Sequence, residues 1–192
     1  MGNFRFIQTD IDGLILVEPK IFADSRGYFA ETYCKRDFEQ GGIAADFVQD
    51  NQSFSRKNVI RGLHFQKKNP QGKLVRVLSG AVYDVAVDLR PDSKTFGKWF
   101  GAELSSQNRF QLYIPEGFAH GFQVLSDGAE FAYKCTRYYA PEDEGGIRWN
   151  DPEIGVTWQL DEEASAILSE KDNRLPWFKD VKPDIYRLRE GV

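Results

Sequence analysis

Apolar and β-branched residues recur along this chain in short runs, broken every few residues by Gly, Ser, Asp or Pro and rarely at helical spacing. That punctuation constrains the fold more than any other feature. The runs 14–22, 28–33, 47–54, 73–79, 81–89, 98–104, 110–114, 121–125 and 130–139 read as strands. Ser79-Gly80, between two of them, reads as a hairpin turn. Asp92-Ser93, Ser105-Ser106 and Ser126-Asp127-Gly128 mark later turns. Helix is predicted only at 36–40, ended by Gly41-Gly42, and at 162–168, opened by Asp161. Many strands with few intervening helices exclude a βαβ sheet and predict an all-β sandwich or barrel. Such folds hold ligands in cavities lined by alternate, inward-pointing residues.

Length and charge narrow the possible partners. The 192 residues suit one domain, 1–192, with the tail at 176–192 as a short surface-packing C-terminal extension. A net charge of -4 with no basic stripe argues against a nucleic-acid partner. Convergent Arg and Lys side chains can still bind an anion, because the local field outweighs net charge. No run reaches the length of a membrane span, and the first residues lack an apolar signal region. Cys34 and Cys135, far apart and outside any CxxC pattern, read as reduced thiols of a cytoplasmic protein.

Against that background the chain has only two histidines. His64 sits in Arg61-Gly62-Leu63-His64-Phe65-Gln66 and His120 in Pro115-Glu116-Gly117-Phe118-Ala119-His120-Gly121-Phe122. Histidine exchanges a proton most readily near neutral pH. A core or turn histidine is the ordinary alternative, but two of them with Lys73 and Tyr133 favour catalysis. Metal-binding jelly rolls pair their histidines as His-x-His; Phe65 and Gln66 follow His64, so that pair is broken and the site reads as metal-free. As a general base, His64 needs a carboxylate to orient its ring. Asp84, Asp88 and Asp172 compete for that place on spacing alone.

Lys73 opens a strand whose neighbours Val75 and Val77 form an apolar wall. Directed into a cavity it can stabilise a developing oxyanion; an exposed strand-end lysine is the equal alternative. Alternation places Tyr133, Cys135, Arg137 and Tyr139 on one face. There a buried tyrosine can deliver a proton and a rim tyrosine can stack on a base. Arg26, Arg61 and Lys171 are scattered cations that would suit a pyrophosphate if they converged.

Taken together, DSRGYFAETY (24–33), FVQDNQSFS (47–55), RGLHFQ (61–66), QGKLVRVLSGAVYDVAVDLR (71–90), IPEGFAHGF (114–122), YKCTRYYAPEDEGGIRWNDPEIGVTW (133–158) and LSEKD (168–172) closely resemble one family. It is the dTDP-4-dehydrorhamnose 3,5-epimerases, metal-free cupins acting on sugar nucleotides. The resemblance implies a cupin-type double-stranded β-helix (jelly roll) that dimerises by exchanging β-structure, with no cofactor. It implies His64 as general base with Asp172 as partner, Tyr133 as the proton donor from the opposite face, and Lys73 near the enolate oxygen. His120 falls beside the sugar. Arg26, Glu31, Gln49, Asn51, Arg61, Glu144 and Lys171 fall on substrate-binding positions, and Tyr139 resembles the tyrosine that stacks on thymine. Gly145 stands where the family often carries Arg. The implied reaction converts dTDP-4-keto-6-deoxy-D-glucose to dTDP-4-keto-L-rhamnose. A mono-epimerase or ketoisomerase on a related nucleotide sugar is one alternative, and a non-catalytic nucleotide-sugar-binding jelly roll is another.

Overall fold

The computed structural model describes residues 2–160, 165–182 and 185. Two antiparallel sheets face each other. The larger is six-stranded, in the order β1 (Phe4–Gln8), β2 (Ile15–Pro19), β10 (Gln111–Ile114), β7 (Lys73–Ser79), β12 (Gly128–Cys135) and β5 (Gln49–Arg56). The other is five-stranded, ordered β13 (Glu144–Gly146), β6 (Ile60–Gln66), β11 (Phe118–Val124), β8 (Ala81–Asp88) and β9 (Trp99–Ser105). The strands β3 (Ile21–Asp24) and β4 (Gly27–Ala30) pair only with each other, and the short helices α1 (Lys35–Gln40) and α2 (Glu170–Asn173) with a 3-10 turn at Pro141–Asp143 complete the named elements.

From β5 to β13 the chain crosses between the sheets at every step except β8 to β9. This winding makes the jelly roll expected from the sequence. It also corrects one turn. Ser79-Gly80 does not close a hairpin, because β7 pairs with β10 and β12 while β8 pairs with β9 and β11. Gly80 turns the corner between sheets at φ 80°, where a Cβ would lie 2.1 Å from the Gly128 carbonyl oxygen. Only glycine fits such a left-handed corner against backbone.

Alternation along β7 and β8 builds the core. Val75 and Val77 meet Val82, Ala86, Leu104 and Phe122 between the sheets. The opposite face of β8, with Val85 and Val87, is covered by Phe178, Val181 and Ile185. Among the described residues of the tail, those three side chains are only 2%, 7% and 7% exposed. Covering the outer face explains why β8 is buried on both sides although it belongs to an antiparallel sheet. On the outer face of the larger sheet, α1 lays Phe38 against Ile15, Val17 and Leu74.

The strand spanning 60–66 and the short strands β1 and β13 were not predicted, and the run 14–22 is divided at Lys20. The helix at 162–168 is corrected where it can be: 161–164 lie outside the described residues, and 165–168 form no helix, Ile167 bridging Val59. Backbone bonds from Ile60 to the Ile167 carbonyl, 3.0 Å, and from Ile167 to the Asn58 carbonyl, 2.9 Å, run this segment alongside the start of β6. That contact brings α2 to the site.

Candidate active site

At the centre lies His64, on β6 beside its cross-strand partner His120 on β11. Gly62, two residues earlier, has φ 118°, and a Cβ there would stand 2.6 Å from the Gly121 Cα and 2.7 Å from the His120 carbonyl oxygen. β6 and β11 thus approach closely, and the pairing shifts register between His120 and Phe122. Such a bulge re-aims the side chains around it.

Three acids competed for His64, and the fold allots them differently. Asp172 Oδ1 lies 2.6 Å from His64 Nε2. Asp84 Oδ2 lies 2.9 Å from His120 Nε2. Asp88 is held by Arg90, Ser93 and Thr95. Asp172 is carried by α2, whose cap is Ser169: its Oγ accepts from the Asp172 N–H at 3.0 Å. A brace fixes the following turn, with Arg148 Nη2 donating to the Asn173 carbonyl at 2.7 Å and Phe178 N–H to Asp151 Oδ2 at 2.7 Å. Burial works against the Asp172 carboxylate, yet the His64 bond and charge, the Ser169 hydroxyl and the Gly62 N–H hold its pKa below the ordinary value. When the His64 ring carries a single proton, an ionised Asp172 accepts it from Nε2, which leaves Nδ1 as the basic nitrogen.

Two adjoining pockets, of about 210 and 260 Å³, share His64, Lys73 and Tyr133. Gln49, Asn51, Tyr139 and Glu144 line the first, while Arg61, His120, Lys171 and Asp172 line the second. His64 approaches from the five-stranded sheet; Tyr133 and Lys73 approach from β12 and β7 of the facing sheet. Burial raises the Tyr133 pKa, further favoured by Cys135 and opposed by Arg61. The phenol is therefore protonated and able to donate. Burial lowers the Lys73 pKa, against the pull of Cys135, Asp84 and Glu144. Lys73 is thus not the exposed strand-end lysine of the competing reading.

The rim is a hydrogen-bonded chain. Tyr139 Oη donates to Glu144 Oε2 at 2.7 Å, and Lys171 donates to the same oxygen. Tyr139 N–H donates to Gln49 Oε1 at 2.9 Å, and Gln49 Nε2 to Asn51 Oδ1 at 2.9 Å. The predicted single face from Tyr133 to Tyr139 ends early, since β12 stops at Cys135 and Arg137 turns to Glu116. Tyr139 reaches the pocket from the loop beyond. A Cβ on Gly145 would lie 2.9 Å from the Phe65 ring and 3.1 Å from Lys67 Cε, so a longer residue there requires both neighbours to move.

Arg26 and Glu31 stand apart from this cluster. Arg26 is bonded to Asp24 at 2.7 Å on the exposed β3–β4 hairpin, and Glu31 accepts from Asn3 Nδ2 at 3.0 Å. Phe65, Gln66, Gln71 and Cys135 also line the pocket but were not singled out for it. Alternation along β6 could have found Gln66, on the face of His64, and alternation along β12 had already set Cys135 beside Tyr133. Among the described residues the one cluster with metal-ligating geometry is Glu31, Cys34 and Asp37, away from His64. No helix among the described residues is long and apolar enough to cross a membrane.

A carboxylate–histidine pair faces a buried phenol and lysine across an antiparallel jelly roll, groups able to move protons, and the relatives of this chain place it among the isomerases. The family model of dTDP-4-dehydrorhamnose 3,5-epimerase matches residues 8–180. The chain belongs to the dTDP-4-dehydrorhamnose 3,5-epimerase family. It is 54% identical over 172 residues to the dTDP-4-dehydrorhamnose 3,5-epimerase of Methanothermobacter thermautotrophicus, covering 90% of this chain and 93% of that one. The Escherichia coli enzyme of the same name is 54% identical over 171 residues, 88% of this chain and 91% of that one. The solved dTDP-6-deoxy-D-glucose-3,5-epimerase of Legionella pneumophila, in complex with dTDP-4-keto-L-rhamnose, superposes with a TM-score of 0.90 at 50% identity, covering 95% and 96% of the two chains.

Proposed function

We propose that this enzyme converts dTDP-4-keto-6-deoxy-D-glucose to dTDP-4-keto-L-rhamnose, inverting both carbons that flank the ketone. The observation that carries the reading is the placement of His64 and Tyr133 on opposite sheets across one pocket. Inversion requires a base on one face of the sugar ring and an acid on the other.

His64 Nδ1 takes the proton from the carbon beside the carbonyl. The C–H electron pair becomes the enolate double bond, and the carbonyl oxygen takes the negative charge beside the Lys73 ammonium. Electrons then return to carbon as the Tyr133 hydroxyl proton is delivered from the far face. His64 is left protonated and Tyr133 deprotonated, and exchange with solvent resets both. Each acid or base contributes about 10²–10⁴-fold. A positioned oxyanion donor adds about 10²–10³-fold.

Gln49, Asn51, Arg61, His120, Glu144 and Lys171 bind the sugar and diphosphate in this reading, with Tyr139 stacked on the thymine. Arg26 and Glu31 reach the pocket of a second copy. Support for a homodimer comes from the β3–β4 hairpin, whose Tyr28 and Phe29 are 60% and 67% exposed, and from the free edge of β5, where Phe54 is 61% exposed. An unpaired edge is a site for strand addition. Sedimentation should then give twice the chain mass. The whole chain acts as one domain, and its free thiols Cys34 and Cys135 suit the cytoplasm.

A 3'-monoepimerase of Streptomyces bikiniensis shares the fold, with a TM-score of 0.79 at 26% identity. It keeps a single-centre reaction as the second reading. Proton NMR of the substrate with enzyme in deuterated water decides between them. Deuterium at both flanking carbons and the L-sugar product are expected. Label at one carbon makes this a mono-epimerase, and no label with saturable binding removes the catalytic reading.

A further inference from the structure

Alternation along β5 puts Gln49, Asn51, Ser53 and Ser55 on one face of the strand, and the first three line the two inner pockets. Ser55 ends the row. It is only 5% exposed and borders neither pocket, so its contacts are with the protein. The contact that its hydroxyl makes is with Arg61. That side chain starts on β6 of the five-stranded sheet and reaches across to β5, the edge of the facing sheet. Arg61 Nε–H donates to Ser55 Oγ at 2.9 Å, and Nη2 donates to the Phe54 carbonyl at 3.4 Å.

Both bonds leave from one edge of a planar guanidinium, so together they fix the plane of the group. Nη1 takes no part in them and keeps its donors for the pocket that Arg61 lines. Both acceptors are also neutral. Among the described residues no carboxylate pairs with Arg61, whereas Lys171, a second cation of the same pocket, is bonded to Glu144. A carboxylate at position 55 would hold the guanidinium and cancel its charge; a hydroxyl holds it and leaves the charge whole.

We propose that Ser55 is a positioning residue that aims Arg61 at the diphosphate of the substrate. The inference rests on the reading of Arg61 as a diphosphate ligand. Arginine binds phosphate oxygens through a directed, planar set of donors, so the orientation of the group matters as well as its charge. A free arginine must also give up its rotamer freedom when it closes on a ligand. Ser55 and the Phe54 carbonyl impose that order beforehand, which raises affinity without touching the ligand.

The test is calorimetric titration of the full-length enzyme with inorganic pyrophosphate, which needs no turnover. The native enzyme should bind it, and Ser55→Ala should bind it about five- to tenfold more weakly. Ser55→Thr, which keeps the hydroxyl, should recover most of that loss. Arg61→Lys keeps a positive charge but lacks the Nε–H, so adding Ser55→Ala to it should weaken binding no further. With the nucleotide sugar, KM should rise in Ser55→Ala by the same factor while kcat stays close to native. A loss of the same size with and without Arg61 would make Ser55 a structural residue of β5 and overturn the proposal. Native affinity in Ser55→Ala overturns it too, as does a fall in kcat at unchanged KM. A native enzyme that does not bind pyrophosphate removes Arg61 as its ligand and the role of Ser55 with it. If pyrophosphate behaves as expected but the nucleotide sugar is not turned over, the functional reading falls and the assignment of Ser55 stands.

Discussion

His64 and His120 are direct cross-strand partners on β6 and β11, and each gives its Nε2 to a different buried carboxylate, Asp172 at 2.6 Å and Asp84 at 2.9 Å. Equal bonding does not mean equal roles. His120 is 7% exposed and depressed in pKa by burial, whereas the His64 side chain is 27% exposed and opens on both pockets. The more open ring is the one that can meet a substrate carbon.

Replacing His64 with Asn should abolish deuterium incorporation from solvent, with a loss of about 10²–10⁴-fold. Asp172→Asn should slow the same exchange without removing it, because the amide no longer enforces the tautomer with basic Nδ1. Proton NMR of the sugar in deuterated water reads both. Exchange at the native rate in His64→Asn would assign the base elsewhere.

Tyr133→Phe should separate exchange from inversion. His64 still removes and returns a proton on its own face, so deuterium still enters the substrate. The epimer should fall by about 10²–10⁴-fold, since no donor remains on the far face. Equal loss of exchange and inversion would assign Tyr133 to the first proton transfer instead.

Tyr139→Ala should act on binding. Stacking of a base on an aromatic ring is worth about 1–3 kcal/mol. KM should therefore rise about tenfold or more, with kcat little changed, in steady-state assays of the nucleotide sugar. The Tyr139–Glu144 bond at 2.7 Å is lost as well, so Tyr139→Phe provides the control that keeps the ring.

Acid should destabilise this protein below about pH 4. Burial opposes the carboxylates of Asp88, Asp143 and Glu144, but side-chain or backbone donors outweigh it and hold each pKa below the ordinary value. A folded pKa below the unfolded one adds stability above the unfolded pKa, about 3.9–4.3 for these acids, and the gain is lost as pH falls through the folded value. Asp143 accepts from the Lys68 and Asn69 N–H groups at 2.8 and 2.7 Å, pinning the loop beneath Gln66. Asp143→Asn should cost about 1–3 kcal/mol. Denaturant melts at neutral and acid pH should show that cost shrinking as pH falls. A cost independent of pH would place the effect in packing.

The all-β class was legible because period-two runs and frequent turns leave little else possible, and the segments around His64, Lys73 and Tyr133 stood out as unusual side chains in short apolar runs. Alternation along 73–79 already put Lys73 on the face of Val75 and Val77. β6 escaped because Gly62 and the charged Arg61 interrupt its pattern, and those interruptions serve the close approach to β11. Which sheet face the tail packs on was not legible, because Phe178, Val181 and Ile185 gain their burial from an outer face of β8 that local sequence does not reveal.

Residue types and local periodicity are properties of neighbours in the chain, so the sequence determined the strands, the two histidines and the reservoir of acids around them. Spacing left open which acid serves which histidine; the resemblance implied Asp172 for His64, and tertiary structure alone paired Asp84 with His120. His64 and Asp172 lie 108 residues apart and His120 and Asp84 lie 36 apart. The crossing of the chain between sheets, and the Ile167 segment docked along β6, bring each pair within hydrogen-bond reach. A bond at that range depends on a distance in space, which spacing along the chain does not encode.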